Sequence, residues 1–125
     1  MEEFEFYRCG VCGNVVALLH KGGGTLTCCG EAMKKLVANT TDAAKEKHVP
    51  VIKHAGGKLL AACGTVPHPM TEAHHIEWFA LVSGGKVQFV YLPHEGVEAK
   101  AEFADVEHGA VYAYCNLHGL WKTEF

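Results

Sequence analysis

Four cysteines crowd a segment too short to fold unaided. Cys9-Gly10-Val11-Cys12 is followed by the turn Gly22-Gly23-Gly24 and then by Cys28-Cys29-Gly30. A segment running to about Val37 cannot bury enough apolar surface to hold itself together. A cross-link or a bound metal must therefore supply what the missing core does not. The Cys-x-x-Cys knuckle brings two sulfurs to one point, and Cys28 and Cys29 supply two more after a hairpin-like return. Directly adjacent ligands force a wider sulfur–metal–sulfur angle than a spaced knuckle and distort the tetrahedron. Iron and zinc both accept four thiolates, so the donors alone do not choose between them. The competing uses are a pair of disulfides or a redox Cys-x-x-Cys. A cytosolic setting disfavours the first, and no βαβ pattern supports the second.

The cytosolic setting is itself an expectation. The start, Met1-Glu2-Glu3-Phe4, is acidic and has no signal-peptide pattern. No apolar run approaches the roughly 20 residues of a membrane span. The net charge of −3 comes with no basic block, which argues against nucleic acid as a partner. The chain of 125 residues is 49% apolar, enough for one packed domain beside the small module. Six Cys and nine His in this length bias it toward metal chemistry.

Beyond the first segment, residues 38–47 are polar and read as a linker or a short helical turn. The remainder is β-rich. Strands are predicted over residues 49–54 and 58–63 around Gly56-Gly57, and over 76–82 and 87–92 around Gly84-Gly85. Residues 98–103, 110–115 and 120–125 complete seven short strands with glycine turns, the pattern of an antiparallel sandwich. Two domains are expected: 1–37, held by metal, and 38–125, a mostly β sandwich. Ile76, Trp78, Ala80 and Val82 alternate as one face of a strand, as do Val111, Ala113 and Cys115. The second register carries Cys115 out of its strand on the core side.

That cysteine stands in Tyr114-Cys115-Asn116-Leu117-His118-Gly119. A thiolate and an imidazole three residues apart make half of a transition-metal site. Three upstream motifs carry further histidines: Lys47-His48-Val49-Pro50, Pro67-His68-Pro69 and Ala73-His74-His75. The prolines stiffen the loops of His48 and His68, which suits ligands that must be held in place. If all join, the ion sees four nitrogens and one sulfur. That set is too rich for ordinary zinc and leaves one octahedral position for a small molecule. Cupredoxins also use a Cys/His loop at a sandwich strand end, but with one upstream His and a weak axial Met. Here Leu120 and Trp121 follow the loop, and Met33 and Met70 lie far upstream. A different class of protein, a zinc-ribbon binding module fused to a sandwich, would leave the histidines without metal. His20, His54, His75, His94 and His108 have no motif around them and read as ordinary surface residues.

Taken together, these motifs resemble desulfoferrodoxin, the two-iron class of superoxide reductase. The resemblance runs over nearly the whole sequence. It rests on Cys9-Gly-Val-Cys12, Cys28-Cys29-Gly-Glu, Glu46-Lys47-His48-Val49-Pro50-Val51, Pro67-His68-Pro69-Met70, His74-x-Ile76-Glu77-Trp78 and Tyr114-Cys115-Asn116-Leu117-His118-Gly119. It implies a desulforedoxin-like N-terminal domain with iron on Cys9, Cys12, Cys28 and Cys29. It implies an immunoglobulin-like sandwich whose catalytic iron has His48, His68, His74 and His118 as equatorial ligands and Cys115 as the axial one. It also implies roles for Glu46, as a carboxylate that caps the ferric ion, and for Lys47, as a cation for the anionic substrate. A cytoplasmic homodimer reduced by rubredoxin or a similar donor is expected, acting on superoxide and on no nucleic acid or membrane. Two departures stand outside the ligand positions. Cys63 is an extra thiol, expected to be a small buried strand residue, and Leu92-Pro93-His94-Glu95-Gly96 replaces the usual turn.

Overall fold

A computed structural model describes residues 4–125. The Met1-Glu2-Glu3 start, expected to carry no signal pattern, lies outside the described residues. Two compact units divide the chain, Met1–Val37 and Ala38–Phe125.

The first unit is built from very short strands: β1 (Glu5–Arg8), β2 (Val15–Leu18), β3 (Thr27–Cys28), β4 (Glu31–Ala32) and β5 (Lys34–Lys35). β1 lies between β2 and β5 in one antiparallel sheet, and β3 pairs with β4 as a separate hairpin. Among its described residues only Phe6 and Cys9 are buried. Two side chains do not make a core, so the demand for a cross-link read from the sequence stands in the structure.

The second unit begins with a single helical turn, α1 (Lys45–His48). Seven strands follow: β6 (Pro50–Ala55), β7 (Lys58–Cys63), β8 (Ile76–Ser83), β9 (Lys86–Tyr91), β10 (Lys100–Ala104), β11 (Ala110–Cys115) and β12 (Gly119–Glu124). They form two antiparallel sheets, β10-β7-β6 and β12-β11-β8-β9. Leu59, Ala61 and Cys63 of one sheet meet Phe79, Leu81, Val111 and Ala113 of the other in the core between them. Each predicted strand is present with its ends moved by two residues or fewer. The mostly β architecture with a sandwich is the expected one.

One face assignment is corrected. The alternation Ile76, Trp78, Ala80, Val82 predicts that these four share a face. In the structure Ile76 faces the core with Phe79 and Leu81, while Trp78 lies on the other side, its ring stacked on Tyr114 at 5.5 Å. The reason is a register shift: Tyr114 pairs with Trp78, but Cys115 pairs with Ile76, leaving Glu77 as the extra residue of a β-bulge. A bulge reverses the side-chain alternation at one point and re-aims what lies beyond it. Here that places the strand entry, and the His74 loop before it, beside Cys115.

Strand direction then places the site. β6 begins where β7 ends in one sheet, and β8 and β12 begin where β11 ends in the other, as the pairs Pro50–Cys63, Cys115–Ile76 and Cys115–Gly119 require. The ring contacts of His48 with His74 and His118 bring these ends to the same edge of the sandwich. His48 precedes β6, His68 follows β7, His74 precedes β8, Cys115 ends β11 and His118 precedes β12. Five positions spread over 71 residue numbers thus converge on one end of the fold.

Candidate metal centres

The four N-terminal sulfurs lie within 4.8 Å of one another. Cys12 Sγ is 3.6 Å from Cys28 Sγ, and Cys28 Sγ is 3.9 Å from Cys29 Sγ. A disulfide needs about 2.05 Å, so none is present among these residues. Four sulfurs held about 2.3 Å from one ion stand about 3.8 Å apart at tetrahedral angles. The observed spacings bracket that value. The backbone makes the adjacent pair workable: Cys29 has a φ of +52°, a left-handed conformation uncommon for a residue with a Cβ. This turn swings the Cys29 sulfur to the same side as that of Cys28. In the knuckle, the amides of Val11 and Cys12 donate to Cys9 Sγ at 3.4 and 3.5 Å. Those amides hold the Cys9 thiol well below its ordinary value, to about 6, while the neighbouring Cys12 sulfur pushes Cys29 up to about 12. Four sulfurs this close resist simultaneous ionisation unless a cation sits among them.

In the second unit the imidazoles of His48, His68, His74 and His118 form a closed square. Going around it, ring centroids are 4.6, 4.6, 5.0 and 4.9 Å apart, and neighbouring planes cross at 78–83°. His48 and His74, across the diagonal, are 6.2 Å apart. His48 Nε2 lies 3.1 Å from both His68 Nε2 and His118 Nδ1, and Cys115 Sγ lies 3.9 Å from His118 Nδ1. Cys115 joins His48, His68 and His74 in a set of donor atoms all within 4.8 Å. His48, His68 and Cys115 are buried.

The hydrogen bonds choose the nitrogens. His48 Nδ1 bonds the Ala44 carbonyl and His68 Nδ1 bonds the Pro69 carbonyl, both at 2.7 Å. A carbonyl only accepts, so each Nδ1 carries the proton and each Nε2 presents a lone pair. The two Nε2 lone pairs then face each other at 3.1 Å with no proton between them. His74 Nε2 is buried and has no hydrogen-bond partner. Nitrogens about 2.1 Å from one ion at right angles stand about 3.0 Å apart, which is the spacing observed. An orphaned nitrogen and facing lone pairs are unfavourable without a cation and are what a metal site requires. The residues fit the ion: three Nε2, one Nδ1 and one sulfur converge.

Charge balance agrees. Burial lowers His48 and His74 from the ordinary value of 6.5 and takes His68 down to about 4. Burial raises the Cys115 thiol, opposed by the amides of Leu117 and His118. The rings are therefore neutral donors near pH 7, and the thiol ionises when a cation is present. In the metal-free chain the unfolded rings take up protons below pH 6.5 that the folded rings refuse. Stability of the metal-free second unit is thus full above pH 6.5 and is lost as the pH falls toward 4. Thermal unfolding of chelator-treated protein across that window checks this, and a midpoint that does not fall contradicts it.

Glu46 and Lys47 lie in the turn that carries His48. Glu46 is exposed, and its carboxylate is not among the clustered donors. Lys47 is half-buried, and its charge disfavours protonation of both His48 and His74. The five unmotivated histidines stay outside both clusters: His54 pairs with Asp105, His108 approaches Glu107, and His75 bonds the Thr71 carbonyl. Met70 Sδ accepts the Ile76 amide at 3.4 Å.

Two supporting residues had no signal of their own. Asn116, between Cys115 and His118, accepts the His75 amide at 2.9 Å and donates to the Ala73 carbonyl at 3.0 Å. It ties the Cys115–His118 loop to the His74 loop. Trp121, fully buried, stacks on His48 at 4.8 Å and donates its indole N–H to the His118 carbonyl. Asn116→Ala is expected to weaken metal binding at this centre by about 10–100-fold and to leave the four-cysteine centre unaffected. Competition with a chelator, read separately for the two centres, measures this.

A two-unit β protein with one all-thiolate centre and one imidazole-rich centre is what fold and sites define. The chain matches the family described as Desulfoferrodoxin over residues 40–124, and the Desulfoferrodoxin N-terminal domain over residues 1–36. It is 46% identical over 123 residues to a desulfoferrodoxin homolog of Archaeoglobus fulgidus, covering 98% of each chain. It is 48% identical over 124 residues to the desulfoferrodoxin of Nitratidesulfovibrio vulgaris, covering 98% of this chain and 97% of that one. The crystal structure of the superoxide reductase from Treponema pallidum superposes with a TM-score of 0.77 at 31% identity, covering 98% of this chain and 99% of that one. The chain belongs to the desulfoferrodoxin family.

Proposed function

We propose that this chain is a superoxide reductase, carrying one electron and two protons to each superoxide to give one hydrogen peroxide. The observation that carries the reading is the square of four imidazoles with the Cys115 thiol at its side. His48, His68, His74, His118 and Cys115 would hold an iron ion. When bound, ferrous iron supplies the single electron. Five protein donors would leave the iron able to take one further small ligand.

The chain's own residues do the rest. The net charge of −3 repels superoxide, so capture depends on local positive charge. Lys47 provides it, one residue from His48, and its ammonium also organises the water that delivers protons. Glu46, exposed beside His48, would offer a hard oxygen donor of the kind that suits a ferric ion. The buried Cys115 thiolate would donate electron density to the iron, and the exposure of Glu46 keeps solvent, the source of protons, at the site. Lys47→Ala is expected to lower the second-order rate with superoxide by about tenfold and to abolish its decline with ionic strength. A rate that keeps the native salt dependence would remove Lys47 from this role.

The four-cysteine centre offers no open position and is assigned iron with a folding role, with relay of electrons as its second use. Domains at 1–37 and 38–125, a cytoplasmic location, a homodimer and reduction by rubredoxin or a similar donor complete the proposal. They rest on the family relationship; among the described residues no helix is long and apolar enough to cross a membrane. Metal analysis tests the core of it: two irons per chain are expected, and one zinc with no iron would end the reading.

A further inference from the structure

The segment leaving β7 packs against the turn that carries Lys47 and His48. Hydrogen-bonding groups of its residues 63–66 reach the carbonyls of that turn and of Val49, Thr65 Oγ1 on the Glu46 carbonyl at 3.5 Å among them. Cys63 Sγ donates to the His48 carbonyl at 2.9 Å, the Gly64 amide to the Val49 carbonyl at 3.2 Å and the Val66 amide to the Glu46 carbonyl at 2.9 Å. Gly64 itself has a φ of +81°. A methyl group there would overlap the Glu46 carbonyl oxygen and stand 2.6 and 2.7 Å from Lys47 Cα and C. These are backbone atoms, which cannot swing aside as a side chain does. No atom but hydrogen fits between Gly64 and the Glu46–Lys47 peptide.

We propose that Gly64 is a positioning residue for substrate capture: its bare Cα is the seat that sets where Lys47 stands relative to the imidazole square. The proposal rests on the reading of Lys47 as the anion-attracting cation. His48 has further anchors, its Nδ1 bond to Ala44 and its stack on Trp121, whereas among the described residues no hydrogen bond or ion pair restrains the Lys47 side chain. Displacing the peptide therefore moves Lys47 first, and the ring less. The seat acts on how an anion arrives, not on whether the ion is held.

The test uses the full chain loaded with iron, as Gly64→Ala, Lys47→Ala and the double variant. Iron content and the visible spectrum of the second centre report whether the ligands are intact. The second-order rate with superoxide, as a function of ionic strength, reports steering. The dissociation constant of the ferric protein for azide, a small anion that is not reduced, reports capture apart from turnover. Gly64→Ala is expected to keep two irons, to lose about tenfold in rate together with its salt dependence, and to bind azide more weakly by a similar factor. The double variant is expected to be no slower than Lys47→Ala, since both changes remove one effect. Additive losses, or native azide affinity in Gly64→Ala, would overturn the proposal. A normal rate in Lys47→Ala would instead overturn the reading beneath it, and the proposal with it. Val66→Pro, which replaces the amide hydrogen on the Glu46 carbonyl by a ring carbon and so displaces the same Glu46–Lys47 peptide from another position, repeats the test should Gly64→Ala fail to fold. Loss of the second iron in Val66→Pro would overturn the proposal, because the segment would then serve His48 and not Lys47.

Discussion

Replacing His118 by alanine is expected to cut superoxide reduction by more than about 100-fold while the first centre keeps its metal. The figure is a lower bound, since outer partners of metal ligands alone are worth about 10–100-fold. His118 closes the square: its Nδ1 is the group 3.1 Å from His48 Nε2 and 3.9 Å from Cys115 Sγ. The sandwich itself should survive. His118 lies in the turn between β11 and β12, and the core of that hairpin is supplied by Val111, Ala113, Leu120 and Trp121. Metal content by centre and rate with superoxide are the two readouts. Full activity in this variant would remove the imidazole square from the mechanism.

The opposite pattern is expected for Cys12→Ser. Here the first iron is lost, and the unit it holds loses order, because Phe6 and Cys9 are the only buried ones among its described residues. Metal binding contributes about 10–16 kcal/mol in comparably small zinc-held peptides, far more than two side chains bury. Amide exchange of β1 and β2 is expected to become fast, and superoxide reduction at the second centre to persist. Loss of reduction with the second iron still bound would show that the all-thiolate centre is required for turnover and is not only a scaffold.

Much of this was readable from residue order. Cys-x-x-Cys followed by a cysteine pair in so short a segment leaves few ways to fold. The sandwich strands announced themselves through glycine turns at Gly56-Gly57 and Gly84-Gly85. His48, His68 and His118 stood out because prolines and a nearby cysteine marked their loops, whereas His74 was set apart from His75 by the family resemblance. What stayed hidden is set by three-dimensional contact. The strands of the first unit are two to four residues long, too short for a period to show. The bulge at Glu77 reverses an alternation that continues unbroken in the sequence. Nothing about Asn116 says that its amide joins two loops, since an Asn there reads as an ordinary turn residue. Cys63 was expected to be a small buried strand residue, and it is buried, but its thiol also holds the His48 carbonyl. Which imidazole nitrogen faces the ion depends on carbonyls at Ala44 and Pro69, and only folding brings those into place.

The central claim is one-electron reduction without disproportionation, and product counting tests it most directly. Iron-loaded protein with an excess of electron donor is exposed to a known amount of superoxide, and peroxide and dioxygen are measured together. One hydrogen peroxide per superoxide, with one donor electron consumed and no dioxygen released, is the predicted result. One peroxide and one dioxygen for every two superoxides, with the donor untouched, would make the chain a dismutase and contradict the account.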